Sequence, residues 1–192
     1  MIQNLLIVGA GIYGLVAKEI AESMGCFLRI DFVDDGAKET PDGTLVIGTT
    51  QDLAELSKCY ANVIVAIGNP EVRQKLIRFI ENETLLRRVT LVSPRAYVSP
   101  TAQIGKGYTI EPMAVVHSGC VLGKGCLICA GAVVNHAAMC GDCVQVDCNA
   151  TVAGNAVVSS GIKVASGTVY EKKIPHGPVP VDGLEFRFED GM

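Results

Sequence analysis

Residues 122–157 read LGKGCL ICAGAV VNHAAM CGDCVQ VDCNAT VAGNAV, and this stretch decides the fold of the carboxy-terminal half of the chain. The same phase of six runs from Val98 to Val169 and makes twelve hexads. The first position is aliphatic in eleven of them, with Cys140 as the exception, and the fifth position is Ala, Cys or Thr in nine. A hexapeptide period is typical of a parallel β-helix. Since three hexads make one triangular coil, the twelve hexads predict four coils.

The amino-terminal half has a different pattern, in which apolar segments alternate with amphipathic ones. The predicted strands are NLLIVGA, FLRIDFVDD, TLVIGT, NVIVAIGN and VTLVS. Helices are predicted over Ile12–Ser23, within TTQDLAELSK and from Pro70 onward. Such alternation favours a small open parallel sheet covered by helices. We therefore predict an α/β domain over residues 1–93, an all-β domain over residues 94–170 and a carboxy-terminal tail over residues 171–192.

Composition narrows the classes of partner. The net charge is −4 and the sequence has no basic stripe of the kind that a phosphate backbone requires, so nucleic acid is not an expected partner. No apolar run reaches the roughly 18 residues that a membrane span needs. The amino terminus has no basic n-region or cleavage site of a signal peptide. We expect a cytoplasmic protein without a membrane partner.

The eight cysteines include two CxxC pairs, Cys126/Cys129 and Cys140/Cys143, which could indicate zinc. Residues three hexads apart stack in neighbouring coils, however, and no two cysteines have that spacing. We therefore expect no metal. The cysteines at first or fifth positions are predicted to lie in the core or at corners, and those at other positions on turns or outer surfaces; the first group is Cys120, Cys126 and Cys140, and the second is Cys129, Cys143 and Cys148.

The motif GAGIYG, residues 9–14, follows the first predicted strand and opens the first helix. Glycines let the backbone approach a phosphate, and a helix N-terminus stabilises its charge. Asp34 follows Gly14 at the end of the second strand, where a carboxylate can accept a hydrogen bond from a ribose hydroxyl. The pattern fits NAD in a dehydrogenase, or a tight turn needed only for helix packing. The α/β region is short for a dehydrogenase, since it ends near residue 93.

His136 is the third residue of the seventh hexad, so it is predicted to lie on a turn and not in the core. The twelve hexads together contain only six charged side chains, which leaves few structural reasons for a histidine there. A neutral imidazole can accept a proton from an attacking amine or hydroxyl. The alternative is a turn histidine with no chemical role.

Three motifs, GAGIYG, FVDD at residues 32–35 and AIGNP at residues 66–70, are followed here by hexads that contain VNH at residues 134–136. This combination resembles the sugar O-/N-acyltransferases of the sialic acid O-acetyltransferase and UDP-amino-sugar N-acetyltransferase type, over about residues 2–170. The resemblance implies a Rossmann-like domain, a left-handed β-helix of about four coils and a homotrimer. It also implies transfer of an acetyl group from acetyl-CoA to an amino or hydroxyl group of a nucleotide-linked or sialic-acid-like sugar.

The resemblance assigns roles to individual residues. His136 is the expected general base, in a direct attack on the thioester without a covalent enzyme intermediate. The expected contacts to the sugar or its nucleotide are Gly9, Gly11, Tyr13, Gly14, Asp34, Asp35, Gly68 and Asn69. The expected contacts to acetyl-CoA are Gly154, Asn155, Ala165 and Gly167.

The sequence departs from the family's pattern around this histidine. The family usually has an acidic residue directly after it and a second histidine nine positions later, where this chain has Ala137 and Gln145. Residues that could support His136 instead are Asn135, His117, Gln145, Asp142 and Asp147, and a neighbouring chain could also supply the partner. The departures leave open a catalytically altered member that binds a sugar nucleotide or a partner protein. Two further expectations are that Arg73 is a solvated helix charge and that His176 is a loop residue.

Overall fold

The computed structural model describes residues 4–173, and the chain divides into two compact units. The first unit contains the chain up to Pro94 together with Lys106–Ile110, and the second contains Arg95–Gly105 and the chain from Glu111 onward. The predictions for His176 and for the tail beyond Lys173 lie outside the described residues. Among the described residues, no helix is long and apolar enough to cross a membrane.

The first unit is built on a five-stranded parallel sheet with strand order β3-β2-β1-β4-β5. The strands are β1 (Asn4–Val8), β2 (Arg29–Val33), β3 (Val46–Gly48), β4 (Asn62–Val65) and β5 (Arg87–Arg88). The helices are α1 (Ile12–Met24), α2 (Leu53–Leu56) after a 3₁₀ turn at Thr50–Asp52, and α3 (Pro70–Glu83). This order places the topological switch between β1 and β4, where open α/β sheets bind ligands. The predicted Rossmann-like fold is confirmed.

Local sequence explains these elements. Leu5–Val8 is a continuous apolar run that is fully buried, as expected for a parallel strand covered on both faces. Helix α1 buries Gly14, Ala17, Ile20 and Ala21, whose spacing of three and four positions forms one face. Helix α3 begins at Pro70, which needs no backbone N–H partner at that position.

The prediction that VTLVS supplies the last strand of this sheet is wrong. The last strand is β5, which pairs with β4, whereas β6 (Leu91–Val92) pairs in parallel with β9 (Thr109–Ile110). Val92 lies one hexad before Val98, so the hexad phase extends one repeat further toward the amino terminus. The hexad phase therefore indicates that this segment pairs with β9. Its apolar composition alone would also have fitted a strand beside β4.

The second unit is a left-handed parallel β-helix of two-residue strands, as predicted. Its first face consists of β7 (Tyr97–Val98), β10 (Val115–Val116), β13 (Val133–Val134), β16 (Thr151–Val152) and β19 (Val169–Tyr170). Its second face consists of β8 (Gln103–Ile104), β11 (Val121–Leu122), β14 (Met139–Cys140) and β17 (Val157–Val158). Its third face contains β12 (Leu127–Ile128), β15 (Gln145–Val146) and β18 (Lys163–Val164). Partner residues in paired strands are three hexads apart, as in Val115 with Val133 and Val133 with Thr151.

The hexad positions have the predicted burial. First-position side chains such as Val116, Val134 and Val152 are fully buried and fill the inside of the coils. At the fifth position, small residues such as Ala138 and Ala150 are also fully buried. Stacked layers of aliphatic and small side chains therefore form the core of the coils around His136.

The cysteines of the coils lie at the predicted places, but two of those on turns are buried. Cys120, Cys126 and Cys140 are buried and Cys148 is exposed, as expected, but Cys129 and Cys143 are buried too. Glu111 and Asp147 occupy the positions one coil before and one coil after Cys129, and Gly125 and Gly161 occupy those positions for Cys143. Burial of a turn side chain therefore depends on its packing against the neighbouring coils, since Cys148 and His136 are exposed on turns of inner coils, and the position within one hexad does not indicate it.

Candidate functional site

Close backbone approaches explain two glycines of the GAGIYG turn. Gly9 has φ +111°, and a Cβ there would lie 2.7 Å from the carbonyl oxygen of Ala66. A Cβ on Gly14 would collide with the carbonyl oxygen of Gly9. The turn after β1 therefore packs directly against the loop after β4, at the switch point of the sheet. A larger residue at position 9 would push the turn away from the loop after β4, and one at position 14 would push α1 away from the turn.

Gly11 differs from these two glycines because it is exposed and has open space around its Cα. It is the N-cap of α1 and makes no side-chain capping hydrogen bond. The first N–H groups of a helix have no partner within the helix, and they favour an anion. The start of α1 is thus an accessible place for a phosphate, and Tyr13 belongs to the same first turn.

Asp34 ties the end of β2 to this turn. One carboxylate oxygen accepts a hydrogen bond from the Ala10 N–H at 2.9 Å, and the other accepts from the Gly36 and Ala37 N–H groups, both at 2.8 Å. Partial burial acts to raise the pKa of Asp34, but these three backbone donors together lower it below its usual value. The carboxylate thus stays charged while it positions the turn.

Asp35 is the second predicted carboxylate, and it also has partners within the chain. It accepts hydrogen bonds from the backbone N–H of Thr50 at 2.8 Å and from its hydroxyl at 2.9 Å. Asp35 therefore fixes the segment after β3. In the sheet, β3 lies one strand further from the switch point than β2, which Asp34 follows.

The loop after β4 contains the other two predicted contacts. Gly68 has open space around its Cα. The Asn69 side chain caps α3, accepting hydrogen bonds from the N–H groups of Glu71 at 2.9 Å and Val72 at 3.1 Å.

The prediction that Arg73 is a solvated charge is wrong. This residue is 0% exposed, and its Nη1 donates to the carbonyl oxygens of Ile67 at 2.7 Å and Gly68 at 3.1 Å. A charged helix residue is usually solvated, but Arg73 lies four and seven positions before Ile77 and Ile80 and shares the buried face of α3 with them, whereas Arg78 lies off that face.

His136 lies in the β-helix on the turn between the first and second faces, which we call the histidine edge (residues 99–102, 117–120, 135–138 and 153–156). It is exposed, as predicted from its hexad position. Its backbone N–H donates to the side chain of Asn135 at 2.8 Å, and its carbonyl oxygen accepts from the Asn155 N–H at 3.1 Å. These two bonds fix the backbone of His136 and leave its ring for other contacts.

The His136 ring packs against the backbone of the next coil. Gly154 occupies the same position as His136 one coil further along, and a Cβ on Gly154 would lie 2.7 Å from Cε1 and 2.8 Å from Nε2 of the ring. The structure thus brings the predicted base together with one predicted contact to acetyl-CoA. That contact could have been found from the sequence, since the two positions are three hexads apart.

The residues proposed to support His136 are divided among several turns. Asn135 contacts its backbone, and Ala137 has a left-handed conformation with φ 54°. His117 lies on the histidine edge one coil below, and within residues 4–173 no hydrogen bond joins its ring to that of His136. The histidine edge also contains hydroxyl contacts that the sequence did not reveal, with Ser118 Oγ 3.2 Å from Ser99 Oγ.

The remaining candidates lie on other edges. Asp142 is on the turn between the second and third faces, where it accepts from the Lys124 N–H at 2.6 Å. Asp147 is on the turn between the third and first faces, with Gln145 Nε2 at 2.6 Å and Lys163 Nζ at 3.1 Å. Ala165 lies on that same turn in the last coil with Gly167, so the four predicted acetyl-CoA contacts are shared between two edges. Among the described residues, no group of three or more His, Cys, Asp or Glu could hold a metal ion.

Comparison with known proteins gives two family matches, to the PglD N-terminal domain over residues 4–80 and to the bacterial transferase hexapeptide repeat over residues 101–136. The acetyltransferase domain of PglB from Neisseria gonorrhoeae FA1090, solved in complex with acetyl coenzyme A, is 30% identical, with a TM-score of 0.84 over 90% of this chain and 84% of that chain. PerB from Caulobacter crescentus, solved in complex with CoA and GDP-perosamine, shares the fold at 21% identity and a TM-score of 0.61, over 93% of each chain. WeeI from Acinetobacter baumannii AYE shares it at 18% identity and a TM-score of 0.55, over 96% of this chain and 99% of that chain. No curated protein matches the chain in sequence.

Proposed function

The chain belongs to the hexapeptide-repeat sugar acyltransferases, and from this premise we propose that it acetylates an amino or hydroxyl group of a nucleotide-linked or sialic-acid-like sugar, with His136 as the general base. The predicted family and the predicted class of enzyme, an acyltransferase that uses acetyl-CoA, are confirmed. The acceptor and the base are the parts that we propose.

One observation carries the proposal for the base. His136 is exposed on a turn, and its ring lies over the Gly154 backbone of the next coil. A side chain at position 154 would occupy the space of the His136 ring. The glycine at this position therefore leaves room for the imidazole. The ring is therefore accessible and is also held in position. A general base needs both properties, because it must reach the substrate and be correctly oriented when the proton is transferred.

The proposed chemistry is a direct displacement. The acceptor's amine or hydroxyl attacks the carbonyl carbon of the acetyl thioester while the His136 ring takes the proton that this group loses. The tetrahedral intermediate then expels the coenzyme A thiolate, and the proton passes from the imidazolium to that sulfur. A backbone N–H near the thioester would stabilise the oxyanion. No oxidant, reductant or covalent enzyme intermediate is needed.

The acceptor's nucleotide is proposed to bind in the first unit. The exposed start of α1 at Gly11 offers backbone N–H groups for a phosphate, and Gly68 leaves open space on the loop after β4. PerB, which shares the fold, was solved with GDP-perosamine, and this supports a nucleotide sugar as the acceptor.

A homotrimer is the proposed assembly. The outward side chains of the first face form a largely apolar column of Tyr97, Val115, Val133, Thr151 and Val169. Tyr97 is 54% exposed and Val169 is 58% exposed, so both ends of this column offer apolar surface to a partner. A second copy packed on this column would also bring further groups toward His136.

Light scattering should report three chains for the wild type and one for Val133→Glu.

The test of the proposed activity is release of free coenzyme A from acetyl-CoA with a panel of UDP- and GDP-linked amino sugars and sialic acids. We expect release with at least one acceptor, reduced by about 100-fold or more in His136→Ala. His117→Ala, on the same edge one coil below, tests the predicted supporting histidine separately, and its loss of activity should be much smaller than that of His136→Ala. Undiminished turnover in His136→Ala would remove this residue from the mechanism.

Ala137 and Gln145 favour a second candidate function, binding without turnover, because they replace the family's usual helpers. Binding of a nucleotide sugar without any release of coenzyme A would support that candidate.

A further inference from the structure

The buried guanidinium of Arg73 has an unusual place for a charged group. Arg73 lies in the first turn of α3 and is 0% exposed. Burial of a charge is costly unless hydrogen bonds compensate it, and a positive charge near a helix N-terminus is opposed by the helix dipole. The hydrogen bonds that offset this cost therefore indicate the role of Arg73.

The contacts of Arg73 indicate what it does. Its Nη1 donates to the carbonyl oxygens of Ile67 and Gly68, two consecutive residues of the loop after β4. An Arg side chain with two carbonyl acceptors holds both peptide groups in one orientation. The N–H of Arg73 also donates to the Asn69 carbonyl at 2.9 Å, so a single residue contacts three consecutive residues of the loop.

This loop follows β4 at the switch point of the sheet, where open α/β sheets bind ligands. Its first residue, Ala66, has its carbonyl oxygen against Gly9 of the turn after β1. The side chain of Asn69 at its other end is engaged by the N-terminus of α3. Between these two fixed ends, Ile67 and Gly68 are held by Arg73, and Gly68 has open space on its other side.

We propose that Arg73 is a positioning residue for the nucleoside diphosphate part of the acceptor, and that it acts by fixing the backbone of Ile67–Asn69 at the switch point of the sheet. The proposal rests on the proposed function, since it assumes that a sugar nucleotide binds in the first unit. Arg73 itself touches no reacting atom in this role.

The experiment is calorimetric titration of the full chain with UDP and with GDP, for the wild type, Arg73→Lys, Arg73→Met and Arg78→Met. Arg78 is an exposed residue of the same helix and serves as the matched control. We expect the Kd of the nucleotide that the wild type binds to rise about tenfold or more in Arg73→Met, as for loss of a hydrogen-bonded charge. Arg73→Lys should lie between this variant and the wild type, and Arg78→Met should match the wild type.

A second readout separates positioning from a general loss of structure. The Kd for acetyl-CoA and the KM for acetyl-CoA should be unchanged in Arg73→Lys, while the KM for the sugar nucleotide rises. If Arg73→Met does not fold, Arg73→Lys decides, and a folded Arg73→Lys with wild-type nucleotide affinity overturns the proposal. A wild type that binds neither UDP nor GDP overturns both this inference and the proposed nucleotide acceptor, whereas equal binding by all four proteins overturns this inference alone.

Discussion

At the scale of single residues, the orientation of His136 comes from packing. The family's acidic neighbour is replaced by Ala137, and the side chain of Asn135 contacts the backbone of His136. The ring instead lies against Gly154, where even a methyl group would be too close. Packing against Gly154 can hold the His136 ring in place. It does not stabilise the positive charge of the imidazolium, as an acidic neighbour would.

We predict that Gly154→Ala displaces the imidazole of His136. The added Cβ would meet Cε1 and Nε2 at 2.7 Å and 2.8 Å, so the ring must rotate away. A displacement of this kind should lower kcat by about 100-fold while the backbone N–H groups proposed to contact coenzyme A remain. Steady-state kinetics with saturating acetyl-CoA should show this loss.

The control for that prediction is a double-mutant cycle on stability. In the His136→Ala background there is no ring to displace, so Gly154→Ala should lower Tm less than it does in the wild type. Equal losses of Tm in both backgrounds would mean that the substitution acts through something other than the ring.

The hexad phase predicted that His136 lies on an exposed turn, and the spacing of one coil contained the information for its contact with Gly154. The helical spacing of Arg73 with Ile77 and Ile80 contained a signal for its burial, but the sequence did not distinguish a buried guanidinium with acceptors from one without them. The distinction depends on the carbonyl groups of Ile67 and Gly68, which point toward it only in the folded loop.

At the scale of elements, two short segments at the switch point determine the geometry of the first unit. The turn after β1 and the loop after β4 meet at Gly9 and Ala66, and Asp34 links the first of them to the end of β2. The strands that carry these segments were predicted from their apolar runs. The wrong assignment of VTLVS shows the limit of this reasoning, since Leu91–Val92 is an apolar strand that pairs with β9.

We predict that Asp34→Asn destabilises the protein most at neutral pH. The hydrogen bonds from Ala10, Ala37 and Gly36 lower the pKa of Asp34 below its usual value of 3.8, against the opposing effect of partial burial. Its contribution to folding is therefore fully present above the unfolded pKa and is lost as the pH falls through the lower folded pKa. The difference in Tm between wild type and variant should be constant above about pH 5 and should narrow below about pH 4. A difference that grows on acidification would contradict this assignment.

At the scale of the whole chain, burial separates the eight cysteines into two classes. Cys26, Cys59 and Cys148 are exposed, and the other five are buried. Burial raises the pKa of the Cys140 thiol to about 12, and burial together with the nearby Glu111 raises the pKa of Cys129. Thiols of this kind remain protonated and unreactive at about pH 8.

We therefore predict that a maleimide modifies the native protein at Cys26, Cys59 and Cys148 only, and all eight cysteines after denaturation. Mass spectrometry of peptides from both samples provides the measurement. Cys143 is the informative site, because its position in the hexad suggested exposure and the structure buries it. Rapid modification of Cys143 in the native protein would indicate that the turn opens.

The stacking of coils at intervals of three hexads also governs how the length of such a chain can change during evolution. Deletion of one complete coil keeps every inward position inward, so the core tolerates it. The site around His136 does not tolerate every such deletion. Removing residues 137–154 would place Lys172 where Gly154 now lies, one coil after His136. A coil lost near the amino-terminal end of the repeat would leave this pair intact. Natural variation in coil number should accordingly be confined to the coils on either side of His136 and Gly154.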